Sequence, residues 1–216
     1  MLELRERHRA DAVYLDRLME REYRARRSYK FSNLRDYQSL FSRSKQYRGV
    51  VEFFGEIRGR RILDAGCGTG WAALHFARSG ADAYCCDVSR GSLQVARHFA
   101  GDNGLGDRVH ADVMAAECLS YDNASFDFVF MNAALHHCDI ARVSQEFHRV
   151  LKPGGKVALI EDYAHHPLLN LYRLLTPTKH TPHERPLSEA DIHLFVQPFR
   201  QWHADYFQLL DVWDKE

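Results

Sequence analysis

Apolar positions near the start of the chain recur at helical intervals. Leu2, Leu4, Val13, Leu15, Leu18 and Met19 stand among many charges, which predicts a helix over residues 1–27 that ends between Arg24 and Ser28. A polar stretch carrying Tyr29, Phe31, Tyr37, Phe41 and Tyr47 follows, then a second helix ending near Ile57, with Gly55 and Gly59 as breaks. From residue 61 the period changes. Short apolar runs at 61–65, 82–87, 108–112, 126–131 and 155–162 read as strands, alternating with helical patterns at 70–79, 89–101, 139–150 and 165–175; only the stretch after 112 is irregular. Such alternation predicts βαβ units, hence an α/β fold with a doubly wound, mostly parallel sheet and helices on both faces. Ligands in such folds sit at the carboxyl ends of the strands.

The chemistry-bearing residues lie at those ends. The first strand runs through Ile62 and Leu63 into Asp64 and then Gly66, Gly68 and Gly70, before a helix opens at Trp71. Glycines reach positive φ at little cost and let the backbone come close to a ligand, and the following helix presents unpaired N–H groups. A nucleotide-like ligand is expected there. A dinucleotide fingerprint needs a third glycine where this chain has Trp71, and no Gly-Lys-Ser/Thr of a phosphate loop occurs. The second strand ends at Asp87, placed to accept both ribose hydroxyls, with Val88 beside it as an apolar face for a base. The third ends at Asp112 and Val113, where a carboxylate can accept from the adenine amine. The fourth, Phe126 to Met131, ends at Asn132 and continues into Ala133-Ala134-Leu135-His136-His137. Any one of these aspartates reads equally well as a helix cap or turn former; their joint placement is the signal.

Asp64 with its glycines, Asp87, Asp112 and the run from Phe126 to His137 closely resemble motifs I to IV of the class I S-adenosylmethionine (SAM) dependent methyltransferases, and Leu151-Lys152-Pro153-Gly154-Gly155-Lys156 matches the turn before the fifth strand of that family. The resemblance covers roughly residues 45–162 and implies a Rossmann-like fold binding SAM and releasing S-adenosylhomocysteine. It further implies that the glycine turn cradles the methionine portion, with Asp64 acting through water on its amino group. The implied cofactor set is Asp64, Gly66, Gly68, Gly70, Asp87, Val88, Asp112, Val113 and Asn132.

Composition limits the alternatives. The 216 residues are 45% hydrophobic with zero formal net charge, so the default is one domain with a real core and no bulk signal for nucleic acid or acidic membranes. Charge is unevenly spread: residues 1–60 hold fifteen Lys and Arg against nine Asp and Glu, leaving fourteen against twenty in 61–216. A basic lid on an acidic body is one reading of this and a solvated helix face with ordinary charge pairs is the other; the chain is expected to comprise an N-terminal helical lid or extension, 1–48, and a SAM-binding domain, 49–216. Five cysteines lack Cys-x-x-Cys spacing and no secretion signal precedes them, which fits reduced thiols in the cytoplasm. No apolar run approaches the length of a membrane span. Thirteen histidines raise the question of metal, yet His136-His137 and His165-His166 are adjacent pairs, whose side chains are expected to point apart, and no metal site is expected.

Two regions depart from the family pattern. Pro186 to Pro198 reads as a helix capped near Ser188, and Arg200 to Leu210 as a strand followed by only six residues, too few for a terminal hairpin. Either the chain is a fragment of a longer one or the sheet lacks its last strand and leaves an edge. The second region is the segment between Pro167 and Pro186, a polar insertion beside the ligand mouth, fit for a substrate loop or for a plain connection.

The function expected is methyl transfer to an O, C or N nucleophile of a small molecule or lipid. His136, His137, Glu161 and Tyr163 are the nearest candidate bases by strand-end position, His136 first, with Asn132 positioning the donor. An Asn-Pro-Pro-Tyr run is missing at Asn132, which argues against amino-directed nucleic-acid and protein substrates. RNA methylation is an alternative suggested by the arginine-rich N-terminus, although Glu3, Glu6, Asp11, Asp16, Glu20 and Glu22 interrupt it. A SAM-binding, non-catalytic partner module is another, opposed by the intact aspartates and glycines.

Overall fold

A computed structural model describes residues 2–25, 44–161 and 186–205. Five strands, β1 (Arg61–Ala65), β2 (Asp82–Asp87), β3 (Val109–Val113), β4 (Phe126–Asn132) and β5 (Leu151–Ile160), form one sheet in the order β3-β2-β1-β4-β5. Every pairing is parallel. Helices α1 (Leu2–Ala25) and α2 (Lys45–Phe54) precede the sheet; α3 (Trp71–Arg78), α4 (Arg90–Asp102) and α5 (Ile140–Val150) connect its strands; α6 (Glu189–Val196) follows it.

Strands buried on both faces need apolar residues on both, and alternation assigns each to a layer. Ile62, Phe128 and Phe130 join Phe54 of α2, Phe76 of α3 and Leu93 and Phe99 of α4 in one core. Leu63, Val129 and Met131 join Ile140, Val143 and Phe147 of α5 and Phe195 of α6 in the other. Burying a side chain of this size is worth roughly 1.5–3 kcal/mol. The helix side follows from the winding: β1 to β3 step one way across the sheet with α3 and α4 on one face, and β4 to β5 step the other way with α5 opposite. The strand order therefore reverses between β1 and β4, and the crevice at their carboxyl ends is where a ligand fits.

Helix starts follow local chemistry. Ser89 caps α4 by accepting from Ser92 N, Asp139 caps α5 by accepting from Arg142 N, and Ser188 and Asp191 form a capping box on α6. The last confirms the helix expected there.

The fifth strand differs from expectation. Leu151 to Lys156, read as a turn before it, lies inside it as a bulge: Phe126 pairs with Leu151 and Phe128 with Lys156, so Asp127 alone faces residues 152–155. Gly154 supplies positive φ at 78°, and Asp127 fastens the bulge by accepting from Lys152 Nζ at 2.9 Å and from Arg61 N at 2.9 Å. Residues 200–205 are not a strand. The helix expected at 165–175, and the rest of the strand expected after Arg200, lie outside the described residues.

Candidate active site

The glycine turn after β1 contains two kinds of glycine. A Cβ on Gly66 would stand 2.6 Å from Ala134 Cβ, and one on Gly70 2.7 Å from Ala96 Cβ, so these two allow β1 to pack against the β4 turn and α4. A Cβ on Gly68 would meet nothing within 4 Å. Gly68 therefore bounds open space at the strand ends, where a bound molecule has access to backbone. All three have positive φ, which L side chains adopt only under strain. Gly70, left-handed at φ 71°, is also the residue from which α3 starts.

Asp87 is set over this turn. Its Oδ2 accepts from Gly68 N at 2.9 Å and its Oδ1 from Ser89 N at 2.8 Å, so each oxygen is oriented by one backbone donor. Lone pairs remain on both for a further donor. Burial pushes its carboxyl above the ordinary range, against the lowering effect of the Ser89 and Gly68 N–H groups, and Asp16 adds a like charge. Val88 beside it is partly exposed and able to offer an apolar face.

Asp64 is deeper, 2% exposed, and its Oδ2 accepts from Ala73 N in the first turn of α3 at 3.1 Å. Burial, partly opposed by that N–H, pushes its carboxyl up to about 8, with Asp87 adding like charge. A cation brought beside Asp64 would favour its ionised form.

The next strand ends add two more groups. Asp112 Oδ2 accepts the Tyr121 hydroxyl at 3.0 Å, a contact that the sequence does not reveal, and Val113 is 42% exposed. Asn132 Oδ1 accepts the hydroxyl of Tyr47, from α2, at 3.1 Å, and the Tyr47 ring stands edge-on to Trp71 at 5.2 Å. Tyr47 was singled out from sequence only as one of several aromatics. Nothing local in the sequence pairs it with Asn132.

After β4 the chain turns through Ala133, at φ 50°, into a 3-10 turn, Leu135–His137. Glu161, at the end of β5, holds this turn: Oε1 accepts from Ala134 N at 2.8 Å and Leu135 N at 2.6 Å, while Oε2 lies 2.7 Å from His136 Nδ1. His136 and Glu161, read from sequence as separate candidate bases, are thus one buried pair. The His136 and His137 rings lie 4.2 Å apart, whereas adjacent side chains were expected to diverge; the tight 3-10 turn brings them together. Tyr163 lies outside the described residues. Among them, no three His, Cys, Asp or Glu side chains converge as metal ligands would.

Helix α1 spans these strand ends. Asp16 accepts from Ser89 Oγ at 2.6 Å and Gly91 N at 2.8 Å; His8 Nε2 lies 3.0 Å from Glu117 Oε1; Arg7 donates to the His137 carbonyl. Burial works to raise Glu117, but hydrogen bonds from His8 and Asp139 N outweigh it and hold the carboxyl below its ordinary range. The sequence gives no sign of these contacts, because they join α1 to loops that follow β2, β3 and β4.

Residues 63–159 match the family described as methyltransferase domain. The chain is 40% identical over 105 residues to methyltransferase GfsG of Streptomyces halstedii, covering 48% of this chain and 38% of that protein. It is 37% identical over 110 residues to a ubiquinone biosynthesis O-methyltransferase of Paracidovorax citrulli, covering 50% and 46%. It thus spans less than half the length of these curated relatives. Among solved structures, a SAM-dependent methyltransferase from Methanosarcina mazei superposes with a TM-score of 0.57 at 26% identity, covering 68% of this chain and 81% of that one.

Proposed function

We propose that this chain, which belongs to the class I SAM-dependent methyltransferases, transfers a methyl group from SAM to an oxygen, carbon or nitrogen nucleophile of a small molecule or lipid. The observation that carries this reading is Asp87, both of whose oxygens are aimed by backbone N–H groups over the open face of Gly68. That geometry suits a ribose diol at the end of β2.

SAM supplies an activated methyl group on a sulfonium, so no covalent protein nucleophile is required. The protein's task is placement, which can supply about 7–11 kcal/mol of the barrier. In this reading Asp87 accepts both ribose hydroxyls, Val88 and Val113 flank the adenine, and Asp112, shared with Tyr121, accepts from its amine. Gly68 lets the turn approach the methionine portion, Gly66 and Gly70 hold the turn in place by packing against Ala134 and Ala96, and Asp64 and Asn132 orient the ligand. His136 takes the acceptor's proton. Residues 1–48 act as a lid on the domain of residues 49–216, a reading supported by the α1 contacts to three strand-end loops.

A small or lipid-like acceptor is supported by the Paracidovorax relative, whose name assigns it to ubiquinone biosynthesis. We infer a cytoplasmic protein from its five free cysteines; no helix of the described residues is long and apolar enough to cross a membrane. Calorimetry with SAM and S-adenosylhomocysteine tests the cofactor, and incubation with extract and methyl-labelled SAM tests transfer. Absence of binding of either ligand to folded protein would overturn the proposal.

A further inference from the structure

We infer that α1 is a pH-sensitive clamp over the strand ends: the His8 imidazole, paired with the buried Glu117 carboxylate, holds the helix down when charged and loosens it when neutral. The inference rests on the reading of the N-terminal segment as a lid and names what controls that lid.

The seat of α1 is polar. Arg7, His8, Asp11 and Asp16 lie on one half of the helix, and each reaches a loop at the strand ends. Asp16 accepts from Ser89 Oγ and Gly91 N after β2, and His8 Nε2 stands 3.0 Å from Glu117 Oε1 after β3. After β4, Arg7 donates to the His137 carbonyl and Asp11 lies 3.9 Å from His137 Nδ1. Val13 and Tyr14, on the other half of α1, are 43% and 47% exposed. A helix seated by charged groups responds to protonation and salt in a way that an apolar stripe does not. The seat is also incomplete. Arg7 Nε and Glu117 Oε2 are buried without a hydrogen-bond partner among the described residues, and lifting α1 hydrates both. Those two unpaired groups bring the lifted position closer in free energy to the seated one, so the strength of a single contact shifts the balance.

His8 supplies the contact that changes with pH. An imidazole gains or loses its charge between about pH 5 and pH 8. The Glu117 side chain is 3% exposed, and burial works against its charge, but hydrogen bonds from His8 and Asp139 N outweigh burial and keep it ionised across that window. Among the described residues the other charged or titratable groups around His8 are Arg7 and Asp11 of its own helix, with His137 beyond Asp11. Arg7 opposes a charge on His8, Asp11 favours one, and Glu117 alone of these is in hydrogen-bond contact with it. Charged His8 makes a charge-assisted bond to Glu117; neutral His8 makes one about half as strong. The seated helix therefore holds the proton more tightly than the lifted one, so α1 is held best near pH 6 and less well as pH rises to 8.

Hydrogen exchange tests the clamp. With the chemical exchange rate divided out, the opening equilibrium of α1 amides should rise about fivefold from pH 6 to pH 8 in the wild type, with β1 and β4 amides unchanged. His8→Gln offers Glu117 an uncharged N–H at every pH, and Glu117→Gln removes the anion. In either variant α1 should open at pH 6 as it does in the wild type at pH 8, so the test stands if only one of them folds. Equal opening at the two pH values in the wild type, or a pH dependence that survives in a folded variant, overturns the inference. Release of S-adenosylhomocysteine, followed by stopped flow, reads the consequence. The rate in His8→Gln should exceed the wild-type rate about fivefold at pH 6 and match it at pH 8, the ratio cancelling the titration of groups common to both proteins. Equal rates at both pH values, with α1 opening as expected, overturn the gate and the lid reading together. Opening of α1 that ignores pH overturns this inference alone.

Discussion

The Asp16 carboxylate of α1 accepts the Ser89 hydroxyl at 2.6 Å, across 73 residues of sequence. The same oxygen takes Gly91 N, so an acidic group of the N-terminal helix sits on the first turn of α4, where a helix presents unpaired donors. Ser89 is also the cap of α4 and donates its N–H to Asp87, which ties the position of α1 to the carboxylate over the glycine turn.

Replacing Asp16 with Ala should free α1 from this contact. Two charge-assisted hydrogen bonds are lost, each worth about 1.5–3 kcal/mol at most and less where partly solvated. Amides of α1 should exchange faster, with the sheet unaffected. Hydrogen exchange checks this; unchanged α1 protection would mean that the His8 and Arg7 contacts hold the helix alone.

Asp87→Asn and Asp87→Ala separate ligand binding from support of the turn. Asparagine keeps one acceptor oxygen for either Gly68 N or Ser89 N, while alanine leaves both donors unpaired. Both variants should weaken S-adenosylhomocysteine binding by about 10- to 100-fold, the equivalent of about 1.5–3 kcal/mol for a charged hydrogen bond. Alanine should lower thermal stability more than asparagine, which leaves one of the two donors unpaired rather than both. Calorimetry and thermal unfolding on the same samples check the pair.

The glycines should divide as their surroundings do. Gly66→Ala forces a Cβ to 2.6 Å from Ala134 Cβ at φ +65°, a clash added to about 1–2 kcal/mol of left-handed strain, and should unfold at markedly lower urea. Gly68→Ala carries strain alone at φ +52° and should fold with a smaller loss, its chief effect being on ligand affinity. Equal destabilisation by the two would contradict this division.

Strand ends were legible because polar residues interrupt the apolar runs there: Asp87 and Asn132 close β2 and β4, and Asp64 and Asp112 stand one residue before the ends of β1 and β3. Periodicity located β1 and β2 to the residue. It missed the start of β5, since Pro153 and the two glycines signal a turn in any local reading, and only pairing with β4 turns that run into a bulge. Tyr47 with Asn132, Glu161 with the post-β4 turn, and Asp16 with Ser89 are contacts across 85, 27 and 73 residues, which no local pattern encodes.

His75 makes stability depend on pH at the acid end. Burial first, then the nearby Arg78 charge, lowers its imidazole to about 4 from the ordinary 6.5. The unfolded chain therefore binds a proton that the folded one refuses, and stability falls as pH drops from about 6.5 towards 4. His75→Gln should flatten that limb in urea titrations at pH 7 and pH 5. An unchanged slope would assign the acid loss to other groups.

Asp64 sets the opposite slope, and with it a conflict between stability and binding. Its carboxyl stands at about 8 when folded, against about 3.9 in an unfolded chain. Between those values the folded protein holds a proton that the unfolded chain has released, so its contribution declines as pH rises through about 8, where the buried group must ionise. Asp64→Asn keeps an oxygen for Ala73 N and removes the ionisation, so in thermal unfolding the variant should gain on the wild type steadily from pH 5 to about pH 8 and level off above. Binding runs the other way. The ammonium end of S-adenosylhomocysteine favours the ionised carboxylate, so wild-type affinity should rise from pH 6 to pH 8 and level off above, with proton release that calorimetry detects by comparing buffers of different ionisation enthalpy. Asp64→Asn should bind more weakly and show no such rise. Equal pH profiles for the two proteins would show that Asp64 keeps its charge state on binding and acts only as an anchor for the start of α3.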